Sequence, residues 1–384
     1  MRMLVLGAGQ QGSACAYDLL TQTDYEVVLA DSRRDPLPEF LEPFADRLER
    51  PILDARDASA VREVMRGASA VMSALPYYLN LDMCRAALEA GAHFCDLGGN
   101  TDIVFEQKKL HEEAVSRRLS IIPDCGLAPG MVNILAEHGI RQLDRTSSVR
   151  IKVGGLPENP QPPLNYQVVY SLEGVLDYYT TESWILRNGE ARKVRALSEI
   201  EEIDFPEVGR LEAFHTAGGL STMAHRYEGR LDTMEYKTLR YPGHAEAMRL
   251  IRELGLLSLE PVDVKGTSVV PRDAFIAVVE PTLKKDPQRS PDLVALQVEV
   301  QGMRKGKPKL MRWELLDRYD PNTGITAMMR TTGFSLAITG LLQAEGDVKP
   351  GVGTPDEVVP AGKYVQALGD RGVDIRYYED VLEP

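Results

Sequence analysis

Apolar positions fall into two regimes along the chain. Up to about residue 125, short apolar runs alternate with amphipathic stretches. Met3–Leu6, Tyr25–Ala30, Ala68–Ala74, His93–Asp96 and Ser120–Pro123 read as strands, with Pro51–Asp54 a further short one. Helical spacing is predicted from Gln11 onward, over Phe44–Arg50, over Ala58–Arg66 capped by Asp57, over Leu79–Ala90 stopped by Gly91, and over Ile103–Arg118. Ser32–Pro43 is a charged, Pro-rich loop. Strands alternating with helices predict a parallel sheet joined by right-handed crossovers.

Met131–Leu143 is a helix leading out of this region, and the pattern then changes. Ser148–Val153 and Met234–Tyr241 are β-branched or alternating runs. Trp184–Arg187 and Ala191–Val194 flank Asn188-Gly189, the signature of a two-residue hairpin turn. Leu293–Gln301 and Lys309–Tyr319 form a long antiparallel pair. His244–Leu254 and Pro271–Leu283 are helices, and Ile325–Leu342 is a long apolar helix suited to packing between domains. These strand runs predict an α+β domain with a mostly antiparallel sheet. The tail is a Gly/Pro loop, a helix at Ala361–Leu368 and a strand at Val373–Tyr377, expected to return to the first domain. With 384 residues, two domains are expected: 1–126, 127–345, and a C-terminal segment 346–384.

The first strand runs into Gly7-Ala8-Gly9-Gln10-Gln11-Gly12, a G-x-G-x-x-G between strand and helix. Gly7 permits the turn, Gly9 lets a pyrophosphate approach, and Gly12 lets the helix pack closely. Asp31 ends the second strand nineteen residues after Gly12, where a carboxylate binds a ribose hydroxyl. The expected fold class is therefore α/β, a Rossmann-type doubly wound sheet with a second α+β domain, and the expected cofactor is NAD. Arg33 and Arg34 leave NADP open, since either side chain reaches toward a 2′-phosphate. In such sheets ligands gather at the carboxyl ends of the strands. The expected cofactor residues are Gly7, Gly9, Gln10, Gln11, Gly12, Asp31, Ser32, Asp54, Ser73, Ala74, Leu75, Pro76, Leu97, Gly126, Leu127, Ala128 and Pro129.

A net charge of −13 argues against a nucleic-acid partner. Cys15, Cys84, Cys95 and Cys125 lack metal or redox spacing, which points to buried thiols in a cytoplasmic protein. The chain starts directly on a strand, so no signal peptide is expected, and no run reaches eighteen apolar residues, so no membrane span is. The six histidines are scattered, so no metal site is expected.

In the second region, Arg240 is the candidate for holding a substrate carboxylate, because its planar fork matches one bidentately. Tyr166, Thr238, Thr216 and Tyr78 are candidate neighbours, with Lys237 or Arg226 as second anchors. His215, beside two glycines, is the first candidate general base. Glu173 and Asp96 are the second choices, Asp96 being also a plausible cap of the glycines that follow it.

Nearly the whole chain resembles the saccharopine dehydrogenase-like family. VLGAGQQG, DLGGN, IPDCGLAPGMVNILA, YSLEGVLDYY, LEAFHTAGGLSTM and MEYKTLRYPGHAE carry the resemblance. It is strongest to the lysine 6-dehydrogenase branch, while the Leu75-Pro76-Tyr77 form is closer to the saccharopine and carboxynorspermidine branches. The resemblance implies NAD-dependent oxidation of the ε-amine of lysine to 2-aminoadipate semialdehyde and ammonia. It also implies a homo-oligomer, a dimer or tetramer. Alternatives are a dehydrogenase acting on a secondary amine and, in another class, a non-catalytic dinucleotide sensor.

Overall fold

The computed structural model describes residues 1–381. The first region builds β1 (Arg2–Leu6), β2 (Glu26–Ala30), β3 (Leu48–Glu49), β4 (Ala70–Ser73), β5 (His93–Asp96) and β6 (Ser120–Ile122). The second builds β7 (Arg145–Pro157), β8 (Ser183–Arg187), β9 (Glu190–Val194), β10 (Glu201–Phe205), β11 (Gly209–His215) and β12 (Thr233–Arg240). A small hairpin, β13 (Val262–Val264) and β14 (Thr267–Val269), precedes the long pair β15 (Asp292–Arg304) and β16 (Lys307–Arg318). Two strands close the chain, β17 (Gly351–Val352) and β18 (Arg376–Val381).

The first sheet is parallel, in the order β17-β6-β5-β4-β1-β2-β3. The order reverses at β1, so the crevice between β1 and β4 is the topological switch point where ligands bind. The second sheet runs β10-β11-β12-β7-β15-β16-β18, with β8 and β9 branching from β12. Every pair in it is antiparallel except β12 with β7. Asn188 and Gly189 both take positive φ (54° and 79°), as the hairpin between β8 and β9 demands.

The helix Ala327–Ala344 joins the two layers. Fifteen of its 18 residues are buried, and the polar ones among them, Thr331, Ser335, Thr339 and Gln343, are hydrogen-bonded to backbone carbonyls. It crosses the helix Gln10–Gln22 at Gly333, where a Cβ would lie 2.6 Å from Ala14 Cβ, and meets β4 at Gly340, 2.5 Å from Met72 Sδ. A second joint is polar. Arg226 of the second region bridges Glu137, on the helix Met131–Ile140, and Asp356, just after β17.

Several expected elements shift. Pro43 removes a backbone donor, so the expected helix Phe44–Arg50 is instead a 3₁₀ stretch, Glu39–Arg47. Pairing with β2 occurs ahead of Pro51, at Leu48–Glu49, and Ile52 adds only a bridge to Asp31. The helix expected over Ile103–Arg118 is two, Thr101–Lys108 and His111–Arg117, and His111 bonds the backbone of Val352 on β17. The C-terminal segment divides: β17 extends the first sheet beside β6, whereas β18 pairs with β16 in the second.

Candidate active site

The glycine loop forms an open cradle. Gly7 has φ +93° and donates its N–H to Ala30 O at 2.8 Å. A Cβ at Gly12 would sit 1.8 Å from Gly7 O, whereas one at Gly9 would meet nothing within 4 Å. The helix that follows has no side-chain cap, so its first N–H groups are free for an anion. Asp31 accepts from Ala8 N through Oδ2 (2.7 Å) and from Arg33 N through Oδ1 (3.0 Å), fixing loop and carboxylate together. Ser32 donates to the same Oδ1. Gln11 turns a buried amide, unpartnered at both polar atoms, toward the cleft it lines. Free backbone donors, an uncapped helix and an orphaned amide fit a dinucleotide.

Beside the cradle lies a cleft of about 410 Å³ walled by both regions. Ala74, Leu75, Pro76, Tyr77, Tyr78, Leu97 and the run Gly126, Leu127, Ala128, Pro129 line it from the first side. The second side comes from two elements. Ser171 caps the helix Leu172–Thr180 by accepting from Gly174 N, and helical spacing brings Glu173, Asp177 and Tyr178 to the cleft. Along β12, Tyr236, Thr238 and Arg240 share one face at period two and line the same cleft. Thr216 Oγ1 and Thr238 Oγ1 are hydrogen-bonded at 2.7 Å.

Arg240 is buried and forms no salt bridge among the described residues. Its Nε donates to Tyr179 Oη (3.2 Å), and its Nη1 to Leu239 O (2.8 Å) and Gly155 O (3.5 Å). The Tyr166 ring lies 4.9 Å from its guanidinium carbon. Arg240 is also the one Lys or Arg in the cleft lining, which carries two acids, Glu173 and Asp177. Asp177 is held by Arg272 at 2.5 Å and receives the Tyr77 hydroxyl across the cleft at 3.5 Å.

Several expected site residues point elsewhere. His215 is fully buried but faces away, because Thr216 takes the cleft side and neighbours alternate along a strand. Its Nδ1 meets Tyr236 O (3.2 Å) and its Nε2 meets Glu199 Oε2 (3.3 Å). Glu199 in turn is gripped by Arg187, whose hydrogen bonds are the main cause of a carboxyl held down at about 2. His215 therefore does not line the cleft.

Asp96 is walled off too. It accepts from Gly98 N and Asp124 N through Oδ1 and from Gln107 Nε2 through Oδ2, so it shapes the Leu97–Gly99 loop instead of doing chemistry. Burial pushes it up to about 6, and pushes its neighbour Asp124, at φ +64°, up to about 7. Ser73 donates to Asn80 Oδ1, away from the cleft. Tyr166 backs Arg240 without lining the cleft, and Asp54 turns its carboxylate onto Arg56 N. Of the two suggested second anchors, Lys237 pairs with Glu201 and Arg226 sits in the joint between regions. Asp177, Tyr170 and Tyr178 were not anticipated; the first stands one helical turn from Glu173, a signal present in the sequence.

Residues 3–122 match the saccharopine dehydrogenase NADP binding domain, and residues 126–373 match the saccharopine dehydrogenase C-terminal domain. The chain belongs to the saccharopine dehydrogenase family of oxidoreductases. Its first region is an NAD(P)-binding domain.

The chain is 24% identical over 291 residues to α-aminoadipic semialdehyde synthase of Arabidopsis thaliana, covering 73% of this chain and 27% of that protein. It is 26% identical over 216 residues to a saccharopine dehydrogenase (NADP+, L-glutamate-forming) of Schizosaccharomyces pombe, covering 53% and 47%. It thus spans between a quarter and a half of these two relatives. Carboxyaminopropylagmatine dehydrogenase of Synechocystis matches end to end at 19% identity, covering 97% and 96%. Apo saccharopine dehydrogenase of Saccharomyces cerevisiae shares the fold at TM-score 0.79 and 18% identity, over 99% of both chains.

Proposed function

We propose that the protein oxidises the ε-amine of L-lysine with NAD(P)+ as acceptor. The observation that carries this reading is the charge inventory of the cleft lining: one buried cation, Arg240, with no acid paired to it among the described residues, and one acid, Glu173, left over once Asp177 is paired with Arg272. A diamino monocarboxylate complements that set. Saccharopine, with three carboxylates, asks for more cations than the lining holds.

In the overall reaction, the R–CH2–NH3+ group, NAD(P)+ and water give R–CHO, NH4+, NAD(P)H and H+. The nicotinamide, when bound, supplies the hydride acceptor. Arg240 holds the α-carboxylate. With His215 and Asp96 turned away, Glu173 takes the proton from the ε-ammonium, a step required before hydride can leave the carbon. The Thr216–Thr238 pair and Tyr236 line the wall along which the methylene chain lies. The enzyme is proposed to work as a homodimer or homotetramer, and the exposed Leu250, Leu254, Val264 and Val278 offer apolar surface for contacts between copies.

A second reading has a structural observation of its own. A polar cavity of about 440 Å³ adjoins the cleft and shares Tyr77, Gly99, Asp177, Tyr178 and Ala217 with it. That extra room suits a longer secondary amine. Absorbance at 340 nm with lysine, ornithine, cadaverine and saccharopine separates the readings. Lysine is expected to give NAD(P)H, and Arg240→Met to raise its KM roughly tenfold to hundredfold, the range for a lost charge-assisted hydrogen bond. Turnover with saccharopine but not lysine transfers the assignment to the secondary-amine class. Dinucleotide binding with no turnover of any amine leaves a sensor.

A further inference from the structure

Behind Arg240 runs a chain of hydrogen bonds that ends on the backbone. Arg240 Nε donates to Tyr179 Oη at 3.2 Å, Tyr179 Oη lies 3.0 Å from His244 Nε2, and His244 Nδ1 lies 3.1 Å from Leu164 O. Tyr179, Arg240 and His244 are all at least 97% buried. Glu212 sets the turn that presents His244, accepting from Gly243 N and Ala245 N.

The direction of this chain follows from its far end. A carbonyl oxygen only accepts, so His244 carries its proton on Nδ1. Burial first, and Arg240 second, push His244 down to about 3, so it is neutral and Nε2 is a bare acceptor. Tyr179 must then donate to His244, which leaves its oxygen lone pairs for Arg240 Nε. The Nη1 group is anchored on Leu239 O and Gly155 O. Nη2 has no hydrogen-bond partner among the described residues.

We propose that His244, acting through Tyr179, is a positioning residue: by taking the Tyr179 proton it fixes the Tyr179 oxygen as the acceptor for Arg240 Nε and thereby aims Nη2 into the cleft at the substrate carboxylate. This deepens the reading above and rests on it for what the carboxylate belongs to. The groups facing His244 are Tyr166, Tyr179 and Phe214, with Arg240 as the nearby cation and Glu212 as the nearby acid; the Glu212 oxygens are spent on Gly243 N and Ala245 N, and both His244 ring nitrogens are taken by Tyr179 and Leu164 O.

Two measurements on the full chain test it. With ¹⁵N-labelled histidine, the His244 signals, identified by their loss in His244→Gln, are expected to show Nδ1–H and a bare Nε2 from pH 8 to pH 5. An Nε2–H tautomer or an imidazolium at pH 7 overturns the proposal. In steady state, Tyr179→Phe keeps the ring but removes the hydroxyl that accepts from Arg240 Nε. It is expected to raise KM for lysine about tenfold or more with kcat nearly unchanged, and to leave KM for cadaverine, which has no carboxylate, where it was. His244→Leu is expected to behave like Tyr179→Phe, and His244→Gln, which keeps an acceptor near the Nε2 position, to recover part of the KM that His244→Leu loses. Equal KM increases for lysine and cadaverine overturn the proposal as a general loss of packing. If lysine is not turned over at all, the function fails and the histidine spectrum alone decides the relay.

Discussion

Single residues in the glycine loop separate folding from binding. Gly12→Ala forces a methyl group into Gly7 O and is expected to lower the melting temperature as well as abolish dinucleotide binding. Gly9→Ala meets no protein atom and is expected to keep the wild-type melting temperature while weakening NADH binding, read by fluorescence titration. The glycines and Asp31 were legible because their chemistry is local: a strand, a turn and an acid at fixed spacing. His215 was misread because a lone residue shows its type but not its phase. One position along β11 turned it from the cleft to the Glu199 side. A pH test belongs at this scale too. Burial raises Asp124 to about 7 in the folded chain, above its ordinary unfolded value. The folded state therefore holds a proton that the unfolded state lacks, and the stability this lends is lost as pH rises through 7. Asn tolerates the same left-handed backbone, so Asp124→Asn is expected to gain melting temperature over wild type at pH 8, and to lose that advantage progressively down to about pH 4, where the unfolded carboxyl takes up its proton too. An advantage equal at both pH values means Asp124 carries no such proton.

Among the elements, the helix Ala327–Ala344 bears the tightest constraints. Its glycines at 333 and 340 are the points of contact with the helix Gln10–Gln22 and with β4. Gly333→Val is expected to push the two helices apart, lower the melting temperature and weaken NADH binding together, because the displaced helix is the one that opens at the cradle. The long apolar helix and the hairpins β8–β9 and β15–β16 were readable from periodicity and turn residues, whereas β10–β11 and the exposed pair β13–β14 were not. What could not be read was pairing at a distance, since nothing local marks β12 as lying parallel to β7, or β18 as the partner of β16. Glu173 and Asp177 fall between these cases: their spacing places them on one side of a helix, but only packing shows that this side faces Arg240.

For the molecule as a whole, the joint at Arg226 holds carboxylates from two distant stretches of chain. Asp356 and Glu137 are both buried beneath it. Arg226→Met takes the paired cation from the buried Asp356 and leaves Glu137 with Arg141 alone, and is expected to cost about 3–5 kcal/mol in denaturant unfolding, far more than loss of a surface pair. The change of pattern after Met131–Leu143 is what suggests two regions in the sequence, but nothing in it marks how the tail is shared between the two sheets. That sharing governs how the protein is made. Ser120 pairs with Gly351, so a nascent chain that has already emerged through β6 carries a bare sheet edge until more than two hundred further residues have left the ribosome. Over that interval the newborn first sheet is a template for stray strands, and its safe passage depends on how fast translation reaches β17 or on a chaperone that covers the gap.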